Sequence, residues 1–148
     1  MINQALFTSE KDYWETPQAL FNELDREFHF TLDPCSTHEN AKCQKHFTIV
    51  ENGLSKDWGG ETVFCNPPYG RNNAGLWVEK CYLEAQKPNT TVVLLIPART
   101  DTKWFHKYIY KKHEVRFLKG RIKFELGGVA KNSATFPSML VIMKNKNI

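Results

Sequence analysis

No stretch of this 148-residue chain approaches the roughly 20 apolar residues that a membrane-spanning helix requires. The longest near-pure apolar run is Val92 to Ile96. The N-terminus lacks a charged-then-apolar leader with a small-residue cleavage site, so a soluble, non-membrane protein is expected. Cysteine is sparse, and Cys35, Cys43, Cys65 and Cys81 sit in apolar or motif-like stretches, which fits a reducing, cytoplasmic setting. There is no internal repeat and no low-complexity segment. Acidic residues are scarce only in the last third: residues 99–148 hold 12 Lys/Arg against 3 Asp/Glu, whereas residues 1–98 hold 8 against 13. The final third is thus +9 and the remainder −5. That asymmetry suggests a polyanion meeting one face, through Arg99, Lys103, Lys107, Lys111, Lys112, Arg116, Lys119, Arg121 and Lys123. A solvated basic helix and hairpin would give the same count.

The length is that of one domain able to bury a core without staples. Residues 1–12 are polar and unpatterned, a loosely held arm before a domain spanning 13–148. Thr16-Pro17 predicts a helix start, with Thr16 as N-cap, and Leu20, Phe21, Leu24 and Phe28 make an apolar face on a helix from 17 to about 27. Phe28 to Leu32 is a short strand candidate that stops at Asp33-Pro34-Cys35. Phe47 to Val50 is a β-branched run closed by the turn signal Glu51-Asn52-Gly53. Val63 to Cys65 reads as a strand, Leu76 to Glu84 as a helix, and Val92 to Ile96 as a strand buried on both faces. Trp104, Phe105, Tyr108 and Ile109 mark a further helix, capped at Thr100 or Asp101. Val115 to Leu118 and Ile122 to Phe124 suggest a strand pair or a bent strand, and Ser138 to Met143 a final strand. The alternation predicts an α/β sheet with an antiparallel edge.

The chemistry concentrates at Asn66-Pro67-Pro68-Tyr69, directly after the Val63–Cys65 strand. Two consecutive prolines remove two backbone donors and fix two φ angles, leaving the carbonyls of Asn66 and Pro67 without obvious ladder partners. An exocyclic amino group in the plane of a base would suit the Asn66 side-chain oxygen and the Pro67 carbonyl, with the Tyr69 ring on the base face. Ligands of open α/β sheets lie beyond the carboxyl ends of the strands. Asp33-Pro34-Cys35, the Asn66 turn and Pro97-Ala98-Arg99 all fall there. Asp33 could accept from an ammonium or ribose hydroxyls, or simply cap its own loop.

Taken in order, Thr16-Pro17, Asp33-Pro34 and Asn66-Pro67-Pro68-Tyr69 resemble the amino-group DNA methyltransferases that use S-adenosylmethionine. The chain is most similar to their small phage-type N6-adenine members. Tyr13 to Pro17, Leu32 to Cys35, Asn40 to Cys43, Gly53-Leu54, Asp57-Trp58, Pro97 to Asp101, Leu118 to Arg121 and Phe136 to Ser138 carry that closer likeness, over residues 13 to 143.

The resemblance implies a compact Rossmann-like S-adenosylmethionine-dependent sheet, S-adenosylmethionine as cofactor and double-stranded DNA as partner. Thr16, Trp14 and Pro17 would lie against the methionine carboxylate, and Asp33, with Pro34 and Cys35, would hold the ammonium. Asp57 would contact the cofactor's adenine and Trp58 pack on that ring. Glu51 is the candidate for the acidic ribose ligand after the second strand, and Cys35-Ser36-Thr37-His38 stands where larger families have a glycine-rich loop. Asn66, Pro67, Pro68 and Tyr69 would be catalytic, and Arg71, Arg99, Lys119, Arg121 and Lys123 would face DNA. A base inside a duplex cannot reach such a turn, so flipping is implied, with Tyr69 and Phe136 replacing lost stacking.

Three alternatives stand beside this reading. The same chemistry could act on an RNA or on a protein amide, since the Asn-Pro-Pro-Tyr run specifies an amide or amino nitrogen and no more. The fold could also be an idle nucleic-acid-binding module. Cys35, His38, Cys43 and His46 are zinc-type ligands at compact spacing, but Cys35 lies inside the cofactor motif and the fold has an ample core, so no metal is expected.

Overall fold

The computed structural model describes residues 14–130 and 132–145. The arm read at residues 1–12, and Tyr13, lie outside the described residues. The elements are helices α1 (Gln18–Phe28) and α2 (Ala74–Glu84), and strands β1 (Thr62–Cys65), β2 (Thr91–Pro97), β3 (Glu114–Phe117), β4 (Glu125–Leu126), β5 (Val129–Ala130) and β6 (Ser138–Lys144), with a short π-helix at Phe105–Ile109.

Four strands form one sheet in the order β1-β2-β6-β3. β1 and β2 are parallel, and β6 runs antiparallel to both β2 and β3. Beyond β1 the sheet continues through single bridges: Leu32 pairs in parallel with Val63, and Asp33 with His46. The result is the expected α/β arrangement, parallel on one side and antiparallel toward the β3 edge. The segment ending at Asp33, β1 and β2 all run the same way, so their carboxyl ends emerge together.

Burial follows the sequence pattern. Val92 to Ile96 are wholly inaccessible, as are Val63, Cys65, Val141 and Met143. A continuously apolar strand is stable only where both faces are covered, and here α1 and α2 contribute Phe21, Leu24, Trp77, Val78 and Cys81 to the same core. Each such side chain contributes about 1.5–3 kcal/mol on burial. α1 ends where His29 enters the left-handed region at φ 58 and its N–H reaches the Asp25 carbonyl. No helix among the described residues is long and apolar enough to cross a membrane.

Several local expectations are corrected. Thr16 does not cap α1: Pro17 occupies the N-cap position, no side chain caps it, and the Thr16 hydroxyl is engaged with Asn66 instead. The run Phe47 to Val50 forms no strand: the bridge to the sheet is at His46, Phe47 bonds to the Asp33 segment through its N–H and carbonyl, and residues 49–51 form a turn. The cap near Trp104 is Thr102, whose hydroxyl accepts from the Phe105 N–H at 3.3 Å. Ile122 to Phe124 are not a strand, because the pairing in that region is the short hairpin β4–β5.

Candidate active site

The parallel topology brings the Asp33 and Asn66 segments side by side at the carboxyl edge, around a cleft lined by Trp14, Glu15, Thr16, Asp33, Cys35, Asn66 and Pro67. Residues 36–42 close one wall with Ser36, Asn40 and Lys42. Asp33 is buried, and its two carboxylate oxygens accept from the backbone N–H groups of Lys42 (2.9 Å) and Cys35 (3.2 Å). Burial raises its carboxyl to about 6, against the lowering effect of those two hydrogen bonds. Among the described residues no side-chain cation is ion-paired with it, although Lys42 and His46 lie near enough to favour its charge, and a buried carboxylate so placed favours a cationic ligand. Burial likewise pushes the Cys35 thiol well up, so it lines the cleft as a neutral group.

Asn66 is held at both ends. Its Nδ2 donates to the Trp14 carbonyl and, at 2.9 Å, to Thr16 Oγ1, while its Oδ1 accepts from the Tyr69 hydroxyl. A backbone carbonyl can only accept, so Trp14 fixes which end of the amide faces it and turns Oδ1 away. The Tyr69 hydroxyl also lies 3.1 Å from the Leu95 carbonyl. It has one hydrogen for two acceptors. Among the described residues the Pro67 carbonyl accepts no hydrogen bond. Beside the turn, the rings of Trp14, Tyr69, Phe124 and Phe136 pack edge-on, with Trp14 centred 5.4 Å from Phe124 and 5.3 Å from Phe136, and Tyr69 5.7 Å from Phe136.

A neutral amide, an acceptor carbonyl, an aromatic cluster and a buried carboxylate thus meet at the carboxyl edge of one sheet, and the profile of DNA N-6-adenine-methyltransferases (Dam) matches residues 4–147. The chain belongs to the DNA N-6-adenine-methyltransferase family. It is 32% identical over 143 residues to the DNA N-6-adenine-methyltransferase of Haemophilus phage HP1, covering 93% of this chain and 82% of that protein. It is 28% identical over 120 residues to the enzyme of the same name from Escherichia phage T1, covering 80% of this chain and 49% of that protein.

Within this family member, three residues expected at the cofactor lie outside this cleft. Trp58 is fully buried, with its indole N–H on the Gly53 carbonyl at 3.0 Å and its ring against Trp77. Asp57 is exposed and paired with Lys87 at 2.7 Å. Both precede β1 and so sit at its amino end, away from Asn66, which follows it. Glu51 spends its carboxylate on the Thr48 N–H and hydroxyl, both at 2.9 Å, which also holds it below the usual carboxylate range. None of the three lines the cleft.

Trp58 and Gly53 instead buttress the Asp33 loop from behind. A Cβ on Gly53 would stand 2.1 Å from the Pro34 carbonyl oxygen. His38 Nδ1 and His46 Nε2 lie 2.8 Å apart and are spent on each other. Among the described residues no group of three or more His, Cys, Asp or Glu is arranged to hold a metal.

Of the basic residues, Arg71, Arg99, Lys119, Arg121 and Lys123 are exposed. Arg116 already has acidic partners: its guanidinium is forked onto Glu27 at 2.7 and 2.8 Å and also held by Glu114. Sequence reasoning gave no role to Phe124, Glu15, Asn40 or Lys42. For Asn40 and Lys42 a signal was present, since both lie in the family-like run 40–43. Phe124 had none, because its position depends on a fold-back no local pattern records.

Proposed function

We propose that this Dam-family protein transfers a methyl group from S-adenosylmethionine to N6 of an adenine turned out of double-stranded DNA and received at the Asn66 turn. Methylation of adenine N6 in DNA follows from the family; the donor, the flipping and the residue roles are proposed. The observation that carries the reading is the bond between Thr16 and Asn66, which joins the wall of the Asp33 cleft to a neutral amide able to meet an exocyclic amine.

The cleft's donors and acceptors suit an amino-acid head group. Asp33 offers a buried carboxylate to an ammonium, and the Thr16 hydroxyl, which accepts from Asn66, retains its own hydrogen for a carboxylate. Pro17, Pro34 and Cys35 shape the backbone around these two groups. When bound, S-adenosylmethionine supplies an electrophilic sulfonium methyl.

The remaining chemistry belongs to the protein. Adenine N6 is a weak nucleophile because its lone pair is delocalised into the ring. Asn66 Oδ1 and the Pro67 carbonyl would draw on its two N–H bonds and stabilise the positive charge that develops on nitrogen. Neutral Asn is a weak base, so it does not remove the proton before attack; the new N–CH3 bond would form as the S–CH3 bond breaks to leave a neutral thioether, and the methylated N6, now strongly acidic, would then lose its proton to water. To free Oδ1, Tyr69 gives its hydrogen to the Leu95 carbonyl, which is already within reach. The ring cluster then opens to stack on the base. Holding the two reacting atoms about 3–3.5 Å apart supplies the rest.

The test is expression in a host lacking adenine methylation, followed by sequencing of modified bases and a tritiated-methyl assay on purified DNA, RNA and protein in parallel. N6-methyladenine in a defined sequence context is expected. Label appearing only in RNA or protein would replace this reading with another substrate.

A further inference from the structure

The Asn66 turn borders two clefts, and the second has no role in the chemistry above. It has a volume of about 290 Å³ and is lined by Tyr69, Arg71, Pro97, Arg99 and Trp104 among others. Arg71 and Arg99 are exposed, and among the described residues neither guanidinium has a carboxylate partner. Arg116 shows that the fold neutralises a guanidinium where it needs to, with Glu27 and Glu114. Two uncompensated cations on one cleft favour an anion between them, and a phosphate accepts the planar fork of Arg best.

The cleft's other element is a flat ring, packed on one side against the core. Trp104 is half-buried, and among the described residues it stacks on no other aromatic side chain. The Thr102 hydroxyl is already committed, donating to the Arg99 carbonyl at 2.8 Å and accepting from the Phe105 N–H, so it steadies the backbone that carries Arg99. What remains for a ligand is two guanidinium groups and an indole face. Phosphate recognition beside base stacking is the chemistry of a nucleotide in an unpaired strand. Tyr69 is common to the cleft and the Asn66 turn, so that nucleotide is contiguous with the one held at Asn66.

We infer that this cleft binds the nucleotide adjoining the target adenine on the same strand, its phosphate between Arg71 and Arg99 and its base on Trp104. The inference rests on the proposed reading of Asn66. It assigns part of sequence context to Trp104.

The experiment uses the duplex identified by modified-base sequencing, with S-adenosylhomocysteine present, and measures binding by fluorescence anisotropy. Single phosphates around the adenine are neutralised in turn as methylphosphonates. One substitution next to the adenine is expected to weaken wild-type binding about tenfold, the scale of a charged hydrogen bond, to cost less in Arg71→Ala or Arg99→Ala, and to cost nothing further when both are changed to Ala. Trp104→Leu should lose affinity for the intact site but not for a duplex abasic at the flanking position. Equal losses in variants and wild type at every neutralised phosphate overturn the inference. So does a Trp104→Leu deficit that disappears only when the target position itself is abasic, which would make this the pocket of the adenine. Because Arg71 and Arg99 are exposed, their variants fold and carry the test even if Trp104→Leu does not. A wild-type protein that methylates no DNA adenine refutes the Asn66 reading instead, and the two failures are distinct.

Discussion

The Asn66 side-chain amide donates to the Thr16 hydroxyl at 2.9 Å across 50 positions of sequence. This bond ties the proposed donor cleft to the proposed amine acceptor, so the two residues should fail differently. Asn66→Ala removes the acceptor and is expected to lower methyl transfer by at least about a hundredfold, the scale of one electrostatic contact made in a transition state. Affinity for S-adenosylhomocysteine should stay within a few fold of wild type. Thr16→Val should weaken that affinity and Thr16→Ser restore it. Tritiated-methyl transfer and calorimetry read the two effects separately, and near-wild-type turnover by Asn66→Ala would remove it from the chemistry.

Asp33 gives a pH signature. Its carboxyl, ordinarily near 3.8, is held at about 6 by burial. Folding therefore favours the protonated form. The contribution is fully present below about 3.8 and is lost as pH rises through 6, amounting to about 3 kcal/mol. Asp33→Asn should flatten the decline in stability between those values, whatever its absolute melting temperature. An ammonium entering the cleft draws the carboxyl into its ionised form, so binding at pH 6 should release about half a proton. Calorimetry of S-adenosylhomocysteine in buffers of different ionisation enthalpy measures this, and tight binding at pH 6 with no proton release would mean that Asp33 does not face the ammonium.

Glu51→Gln and Asp57→Asn should leave donor affinity within about twofold, since their carboxylates are committed to Thr48 and Lys87. Gly53→Ala is different. Its Cβ would fall 2.1 Å from the Pro34 carbonyl oxygen, and the Asp33 loop must move to admit it. A cost of about 1–3 kcal/mol in stability is expected, with weakened donor binding. A Glu51→Gln protein with strongly impaired affinity would return Glu51 to the cofactor.

These residues mark how far the sequence was legible. The Asn66 turn and Asp33-Pro34 could be read because prolines and a strand end constrain them locally. Val92 to Ile96 could be read because such a run has one stable setting in a sheet. Trp58 could not: it lies near Asn66 in sequence, but β1 separates the two and carries them to opposite ends of the strand. Thr16 before Pro17 obeys the local rule for a cap, yet a tertiary partner, Asn66, takes its hydroxyl. The aromatic cluster needed Phe124, brought to Trp14 and Tyr69 by the pairing of Glu15 with Glu125, which no periodicity foretells.

Arg116 is already ion-paired and so supplies a control for DNA binding. Each phosphate neutralised by a cation releases a counterion, so the slope of log affinity against log salt should fall by about 0.9 for every phosphate left without its cation. Lys123 and Arg121 are exposed on the segment that leads to the β4–β5 hairpin. The double variant Arg121→Ala/Lys123→Ala should therefore reduce the slope by roughly 2 between about 50 and 200 mM salt. Arg116→Ala deletes the same formal charge as either single change, but that charge is already matched by Glu27 and Glu114. Its slope should stay at the wild-type value. Anisotropy titrations over that range decide the matter: equal slopes for all three proteins would return the basic segment to solvent, whereas a lowered slope in Arg116→Ala would mean that DNA opens the ion pairs with Glu27 and Glu114.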